Sequence, residues 1–144
     1  MQELLEQRVK ELIYYRLQRS KEDIKAAETM IKYNSYEAAN NRIYYAVFHA
    51  ILAVQSNDNI KSKRHGQIIG EFNKNYVKNN IFSKNIGSKI KDIQNVRHSS
   101  DYDDFYIANK SETKENLKSA KDILNEIEKF IAKKYNVKIE NYQR

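Results

Sequence analysis

Four polar side chains interrupt an apolar segment in the first half of the chain, YEAANNRIYYAVFHAILAV. They are Asn41, Arg42, Tyr45 and His49. At about 100° per residue of an α-helix these positions fall in one narrow sector, which we call the polar seam. Arginine can hold an anion and histidine can transfer protons near neutral pH, so the seam could line a reactive cleft. Alternatively, its members simply satisfy one another's hydrogen bonds, as buried polar groups usually do.

A second polar cluster occurs in KDIQNVRHSSDYDDFY, residues 91–106. Arg97 and Asp101 are four residues apart, so on a helix they could form an ion pair worth a few tenths of a kcal/mol. The three carboxylates of DYDD could unwind the helix end or cap the next segment, and they lack the later ligand positions of a calcium loop. No metal site is predicted here.

Positive charge is concentrated in the middle of the sequence. Residues 60–98 contain nine basic and two acidic side chains, whereas residues 1–59 and 99–144 are each neutral. A local excess of this kind is typical of proteins that bind polyanions, because neutralised phosphates release counterions. The predicted nucleic-acid contacts are Lys61, Lys63, Arg64, Lys89 and Lys91. A solvated basic face, or one that meets an acidic protein, remains the alternative.

Composition narrows the classes of site that the chain can build. Its 144 residues include no Cys and three His, which excludes disulfides, thiolate metal centres and a cysteine nucleophile. The amino terminus lacks an apolar signal core, and no stretch approaches the roughly 20 apolar residues of a membrane span. We therefore expect a cytoplasmic protein with no cofactor and no membrane contact. The length fits one domain, residues 1–144, with 136–144 as a frayed tail.

Apolar residues recur at helical spacing over most of the chain, and there is no proline. The sequence therefore predicts an all-α, up-and-down bundle of four to five helices. Expected helices cover about residues 2–32, 34–55, 65–77, 84–102 and 111–135, with Asn34 and Ser111 as N-caps. Asp23 is expected to face water. The second helix is apolar on nearly every side, which predicts burial within the bundle or against a second subunit.

The string that contains the polar seam resembles a known family. The string from Ser35 to Ala50, SYEAANNRIYYAVFHA, includes the pattern A-x-x-R-x-Y-Y-A-x-F-H-A, which is similar to the core of HEPN-domain proteins of the small UPF0332-like branch. Two further elements follow in the same order as in that family. They are Arg64-His65-Gly66 and the R-x-x-x-D-Y element from Arg97 to Tyr102. The resemblance covers roughly residues 5–130.

This resemblance implies a helical bundle that dimerises and acts as a metal-independent endoribonuclease toxin, encoded beside a minimal nucleotidyltransferase. The family signature is an Arg, a polar residue, three variable positions and a His. Arg97 and His98 match its first two positions, whereas Tyr102 occupies the position of the final His. The implied catalytic group is therefore Arg97, His98, Asp101 and Tyr102, with the polar seam as a secondary cleft.

The substitution at position 102 bears on the chemistry. When the 2′-hydroxyl of RNA attacks the adjacent phosphate, cleavage needs a base for the hydroxyl proton, an acid for the leaving oxygen and a positively charged group beside the phosphate. Arg97 suits the last role. A tyrosine of ordinary pKa, about 10, is a poor base near neutrality but could act as an acid or a hydrogen-bond donor. His98 or His49 could substitute if packing brings either into the cleft. The alternative function is a non-catalytic module that binds a nucleotidyltransferase partner or a nucleotide, and Tyr102 or Tyr106 could accept a nucleotide group from such a partner.

Overall fold

In the computed structural model, described for residues 2–58 and 64–139, the chain forms five α-helices and no strand within those ranges. The helices are α1 (Gln2–Lys32), α2 (Tyr36–Val54), α3 (His65–Phe72), α4 (Lys84–Tyr102) and α5 (Lys110–Tyr135). The predicted all-α bundle is confirmed. No helix in the described ranges is long and apolar enough to cross a membrane.

Helix α2 lies at the centre of the bundle. It packs against α1, α3, α4 and α5, and its buried side chains include Ile43, Val47 and Ile51. The other helices surround it with their own apolar stripes, such as Leu17 on α1 and Ile127 on α5. Because neighbours within one chain cover α2, its nearly uniform apolarity no longer requires a second subunit.

The turn between α1 and α2 is set by a left-handed residue. Asn34 has a φ of 62°, its N–H donates to the Ile31 carbonyl, and the N–H of Ser35 donates to the Met30 carbonyl. This pair of bonds is a Schellman motif, in which asparagine tolerates the left-handed conformation better than most residues. The predicted role of Asn34 as N-cap of α2 is wrong: it ends α1, and Ser35 occupies the N-cap position.

The predicted helix over residues 65–77 is divided in two. Helix α3 ends at Phe72 and a single π-helical turn, Asn73–Val77, continues it. This turn lies against α4 at Gly87, where an added Cβ would stand 3.0 Å from the Cγ1 atom of Val77. Glycine therefore allows α4 to approach the π-helical turn closely.

Helix α5 begins at Lys110, and its N-cap lies two residues before the predicted cap, Ser111. Asn109 caps it, because its side-chain oxygen accepts a hydrogen bond from the N–H of Glu112 at 2.8 Å, so Ser111 is not the cap. The helix ends at Tyr135, and beyond it Val137 and Ile139 pack against the core. Of the segment predicted as a tail, residues 140–144 lie outside the described ranges.

Candidate functional site

An open cleft of about 900 Å³ lies where the α1–α2 turn meets the end of α4 and the segment that leads to α5. Asn41 and Arg42 of α2 line one side of it, and Arg97 and Asp101 of α4 line the other. Two guanidinium groups from different helices thus face the same space. An arrangement of this kind suits an anion, because guanidinium groups donate several hydrogen bonds in a fixed plane.

Arg97 is held at the cleft by the periodicity of α4. The buried side chains of this helix are Ile86, Ile90 and Ile93, and Arg97 follows at the next step on the same side. Its guanidinium carbon lies 4.2 Å from the centre of the Tyr44 ring and 5.5 Å from that of Tyr45. These distances are within cation–π range, so aromatic faces of α2 fix the arginine in place.

The predicted pair between Arg97 and Asp101 is present but long. The Nε atom of Arg97 lies 3.7 Å from a carboxylate oxygen of Asp101, beyond hydrogen-bond length. The same Nε is buried and has no hydrogen-bond partner within the described chain. Arg97 therefore contains one buried donor that the described chain does not satisfy.

The polar seam is organised by a buried carboxylate on α1. Asp23 is only 5% exposed, and its two oxygens accept from different side chains. Nη1 of Arg42 lies 3.1 Å from Oδ1, and Nδ1 of His49 lies 2.7 Å from Oδ2. Arg42 also donates to Asn41 at 2.9 Å. Within the seam Arg42 thus pairs with Asn41, while Asp23 of α1 satisfies both Arg42 and His49, and Arg42 also lines the cleft.

The prediction that Asp23 faces water is wrong, because Arg42 and His49 of α2 compensate its charge. A signal for this was present in the sequence. Asp23 lies four residues before the buried Ala27 and three after the buried Ser20, so it belongs to the side of α1 that faces the core. A carboxylate at such a position requires a cationic partner, but periodicity does not say which residue supplies it.

A histidine that sequence reasoning did not select completes the surroundings of Arg97. His65 is the first residue of α3, and its ring centre lies 4.0 Å from that of Phe48 and 5.6 Å from that of Tyr45. Burial lowers the pKa of His65, and the nearby charges of Arg97 and His49 lower it further. His65 is therefore neutral near pH 7 and able to accept a proton. His65 belongs to the Arg64-His65-Gly66 element of the resemblance, but that element does not show that His65 lies near Arg97, because the site forms only when α3 folds against α2.

The predicted catalytic group divides between two surfaces. Arg97 and Asp101 line the cleft, whereas His98 is exposed about 100° further around α4 and lines a different groove. Tyr102 is 76% exposed, and its ring centre lies 4.7 Å from that of His98. Neither His98 nor Tyr102 lines the cleft that holds Arg97. His49 and His65 do not line it either, but both lie beside the ring of Tyr45, which Arg97 also contacts.

The other predicted modification site, Tyr106, does line the cleft. Its hydroxyl donates to a carboxylate oxygen of Glu112 at 2.6 Å. Burial, together with this carboxylate, raises the pKa of Tyr106 to about 12. The Tyr106 hydroxyl is thus engaged within the protein, whereas the Tyr102 side chain is open to solvent.

The basic residues predicted to contact nucleic acid differ in their exposure and in their ion pairs. Lys91 is exposed on α4, and Arg64 is exposed just before α3. Lys89 instead forms an ion pair of 3.1 Å with Asp122, so it faces α5. Lys61 and Lys63 lie outside the described residues. Within the described ranges, no group of three or more His, Asp or Glu side chains could hold a metal ion.

Comparison with known proteins assigns the fold to a family. The family model described as the HEPN domain matches residues 13–130. The chain belongs to the HEPN domain family. The resemblance seen in the sequence is confirmed, including the UPF0332-like branch, since a relative from Thermotoga maritima named "UPF0332 protein" is 27% identical over 83% of this chain and 91% of its own length.

Two further relatives of this HEPN protein come from Methanocaldococcus jannaschii. One, named "Putative toxin MJ0142", is 26% identical over 96% of this chain and 94% of its own length. The other, named "Putative toxin MJ0605", is 28% identical over 71% of this chain and 76% of its own length. The chain therefore has relatives named as toxins along almost its whole length, and its place in a HEPN toxin family is supported.

Proposed function

We propose that this HEPN protein binds RNA along the cleft between α2 and α4 and past the ring of Tyr45, beside which His49 and His65 lie. There it cleaves the RNA without a metal ion, as the toxin of a prokaryotic toxin–antitoxin or defence pair. The observation that carries the proposal is the grouping of Arg97, the Asp23–His49 pair and neutral His65 around one aromatic cluster. It supplies positive charge and two proton-transfer groups, the set that the reaction requires.

The reaction transfers the phosphoryl group within the RNA. The 2′-oxygen loses its proton and bonds to the adjacent phosphorus, and the 5′-oxygen of the next nucleotide leaves and takes up a proton. The products are a 2′,3′-cyclic phosphate and a 5′-hydroxyl. Arg97 stabilises the charge that develops on the phosphoryl oxygens, with Arg42 at the other side of the cleft.

The two histidines take the proton-transfer roles that Tyr102 cannot fill. His65, which is neutral, accepts the proton of the 2′-hydroxyl. Asp23 accepts from Nδ1 of His49, which fixes the imidazole ring, and when this ring is protonated its Nε2–H can be transferred to the leaving oxygen. Asp23 is thus a positioning residue, and the proton-transfer groups come from α2 and α3 instead of the end of α4.

Incubation of the purified protein with RNA and with tRNA, in buffer with a metal chelator, tests the proposal. We expect cleavage by the wild type and its loss in Arg97→Gln. The matched control is Arg19→Gln, which removes an exposed arginine that donates to Tyr15 on α1 and should leave cleavage unchanged. Equal cleavage by wild type and Arg97→Gln would refute the assignment.

A second candidate, a non-catalytic module that binds a partner protein, is favoured by an exposed apolar edge. Tyr102, Phe105 and Ile107, near the α4–α5 connection, are 76%, 91% and 83% exposed. Such an edge suits a protein interface, either with a second copy of the chain or with a minimal nucleotidyltransferase. Under this function, expression leaves growth unaffected and no RNA is cut at high protein concentration.

The edge and the tyrosines can be tested directly. If the edge is a homodimer interface, Phe105→Ser should convert a dimer to a monomer in light scattering, whereas Tyr33→Ser, an exposed control on the α1–α2 turn, should not. If a nucleotidyltransferase partner modifies Tyr102 or Tyr106, co-expression should add one nucleotide mass to the wild type. An unmodified mass would count against that part of the proposal.

A further inference from the structure

A second groove, of about 790 Å³, lies between α4 and the π-helical turn. Lys84 and Lys91 of α4 line one wall, and Lys78, just after the π-helical turn, lines the other. His98 lies at one end of the groove. Because His98 and Arg97 are neighbours about 100° apart on α4, this groove lies on a different side of the helix from the cleft.

The charge of the groove is not compensated within the described chain. Lys78, Lys84 and Lys91 form no ion pair or hydrogen bond with any other described side chain, whereas Lys89, on another side of α4, pairs with Asp122. No carboxylate lines the groove in the described ranges. Three unpaired ammonium groups around one depression repel one another, and a polyanion would relieve that repulsion.

The groove is part of a continuous polar stripe on α4. Lys84, Ser88, Lys91, Asn95, His98 and Tyr102 follow at steps of four, three, four, three and four residues. The steps place them on one side of the helix over about 27 Å, at 1.5 Å per residue. The stripe ends in the paired rings of His98 and Tyr102, and Tyr102 is 76% exposed. An exposed aromatic face at the end of a row of cations suits an unpaired base that follows a phosphate backbone.

We propose that this groove binds the backbone of single-stranded RNA, with Lys78, Lys84 and Lys91 at phosphates and a base stacked on Tyr102. His98 and Tyr102 then bind the strand instead of reacting with it. The choice of RNA rests on the proposed function, but binding in the groove does not require that the protein cleaves RNA. An acidic protein partner would use the same lysines but would have no need of the exposed ring beyond them.

Fluorescence anisotropy with a labelled, unstructured RNA of about 12 nucleotides tests the groove. The RNA carries 2′-O-methyl groups, so it lacks the nucleophile and reports binding whether or not the protein is a nuclease. The variant Lys78→Gln/Lys84→Gln/Lys91→Gln should bind at least about tenfold more weakly at low salt. The slope of log affinity against log salt should fall in magnitude by about 2, since each neutralised phosphate of a single strand contributes about 0.7.

The matched control removes the same charge elsewhere. Lys118→Gln/Lys129→Gln/Lys133→Gln alters three exposed lysines of α5 and should keep at least half of the wild-type affinity. Tyr102→Ala should lose roughly tenfold in affinity with an unchanged salt slope, because base stacking is not ionic. A duplex of the same sequence, which has no free base to stack, should be insensitive to Tyr102→Ala.

Two results would overturn the proposal. One is equal RNA affinity of the two triple variants. The other is full competition by polyglutamate together with no effect of Tyr102→Ala, which would assign the groove to an acidic protein. If both triple variants bind RNA as the wild type does and metal-free cleavage is intact, the nuclease proposal stands and the groove proposal fails. If the groove binds RNA but the wild type cleaves none, the groove proposal stands and the nuclease proposal fails.

Discussion

Arg97 and His98 are neighbours on α4, yet their surroundings differ in almost every respect. Arg97 lies over the ring of Tyr44 and lines the larger cleft, whereas His98 is exposed and lines the lysine-rich groove. The difference follows from the 100° step between successive helical positions. Two residues that form one motif in the sequence can therefore serve two surfaces, and the role of each depends on which helix faces it.

The largest expected effect separates these neighbours. Arg97→Gln should reduce the rate of metal-free RNA cleavage at saturating RNA by about 100-fold or more, because it removes positive charge from the reacting phosphate. His98→Gln should change that rate by less than about twofold. Initial rates with a fluorogenic RNA measure both. An equal loss in the two variants would show that His98 reaches the reacting groups after all.

A smaller effect concerns the carboxylate behind the cleft. Asp23→Asn should lower the free energy of unfolding by about 2 kcal/mol, because it leaves Arg42 and His49 without their buried partner. Asp101→Asn, which alters an exposed carboxylate, should change the same quantity by less than about 0.5 kcal/mol. Urea unfolding measures both values. Similar values would mean that the Asp23 network contributes little to stability.

The third prediction concerns pH. Folding lowers the pKa of His65, so below its unfolded value of about 6.5 the unfolded chain binds more protons than the native one. Stability should therefore fall as pH decreases from 6.5 towards 5. His65→Phe, which keeps a ring against Phe48, should lose this part of the pH dependence, while His98→Gln keeps it. Urea unfolding at several pH values measures the slope, and a slope unaltered by His65→Phe would contradict the prediction.

The smallest effect tests the charge balance on the Arg97 side of α4. Asp101→Asn should raise RNA affinity a few-fold, because it removes a negative charge 3.7 Å from the Arg97 guanidinium. Asp104→Asn makes the same change of net charge at an exposed position that does not line the cleft and should have less effect. Anisotropy with uncleavable RNA compares them. A larger effect of Asp104→Asn would place the RNA nearer to the α4–α5 connection.

Helix bounds were predictable where apolar spacing decided them, as for α1 and α4, which have the expected ends. The prediction was wrong where several polar residues competed for one cap. Asn34 and Ser35 are both good N-caps, and so are Asn109 and Ser111. Which one caps depends on how the preceding helix ends, and for α1 this is the left-handed conformation of Asn34.

Part of the candidate site was also predictable. Arg42 and Arg97 were selected from the sequence, and both line the cleft. His65 was not selected because α3 must fold against α2 before its ring meets Phe48. Asp23 was misplaced because its partners lie 19 and 26 residues away, on another helix. Interactions of that range leave no periodic pattern in the sequence.

The sequence by itself determined an all-α bundle, the HEPN resemblance and the concentration of positive charge in residues 60–98. Each of these depends on local residue spacing or on composition, and neither requires knowledge of how the helices pack. Only the tertiary structure decided which side chains share a surface. The packing of α1, α3 and α4 around α2 buries Asp23, brings His65 near Arg97 and leaves His98 in the lysine-rich groove, because the rotation of each helix is fixed by its contacts with the others.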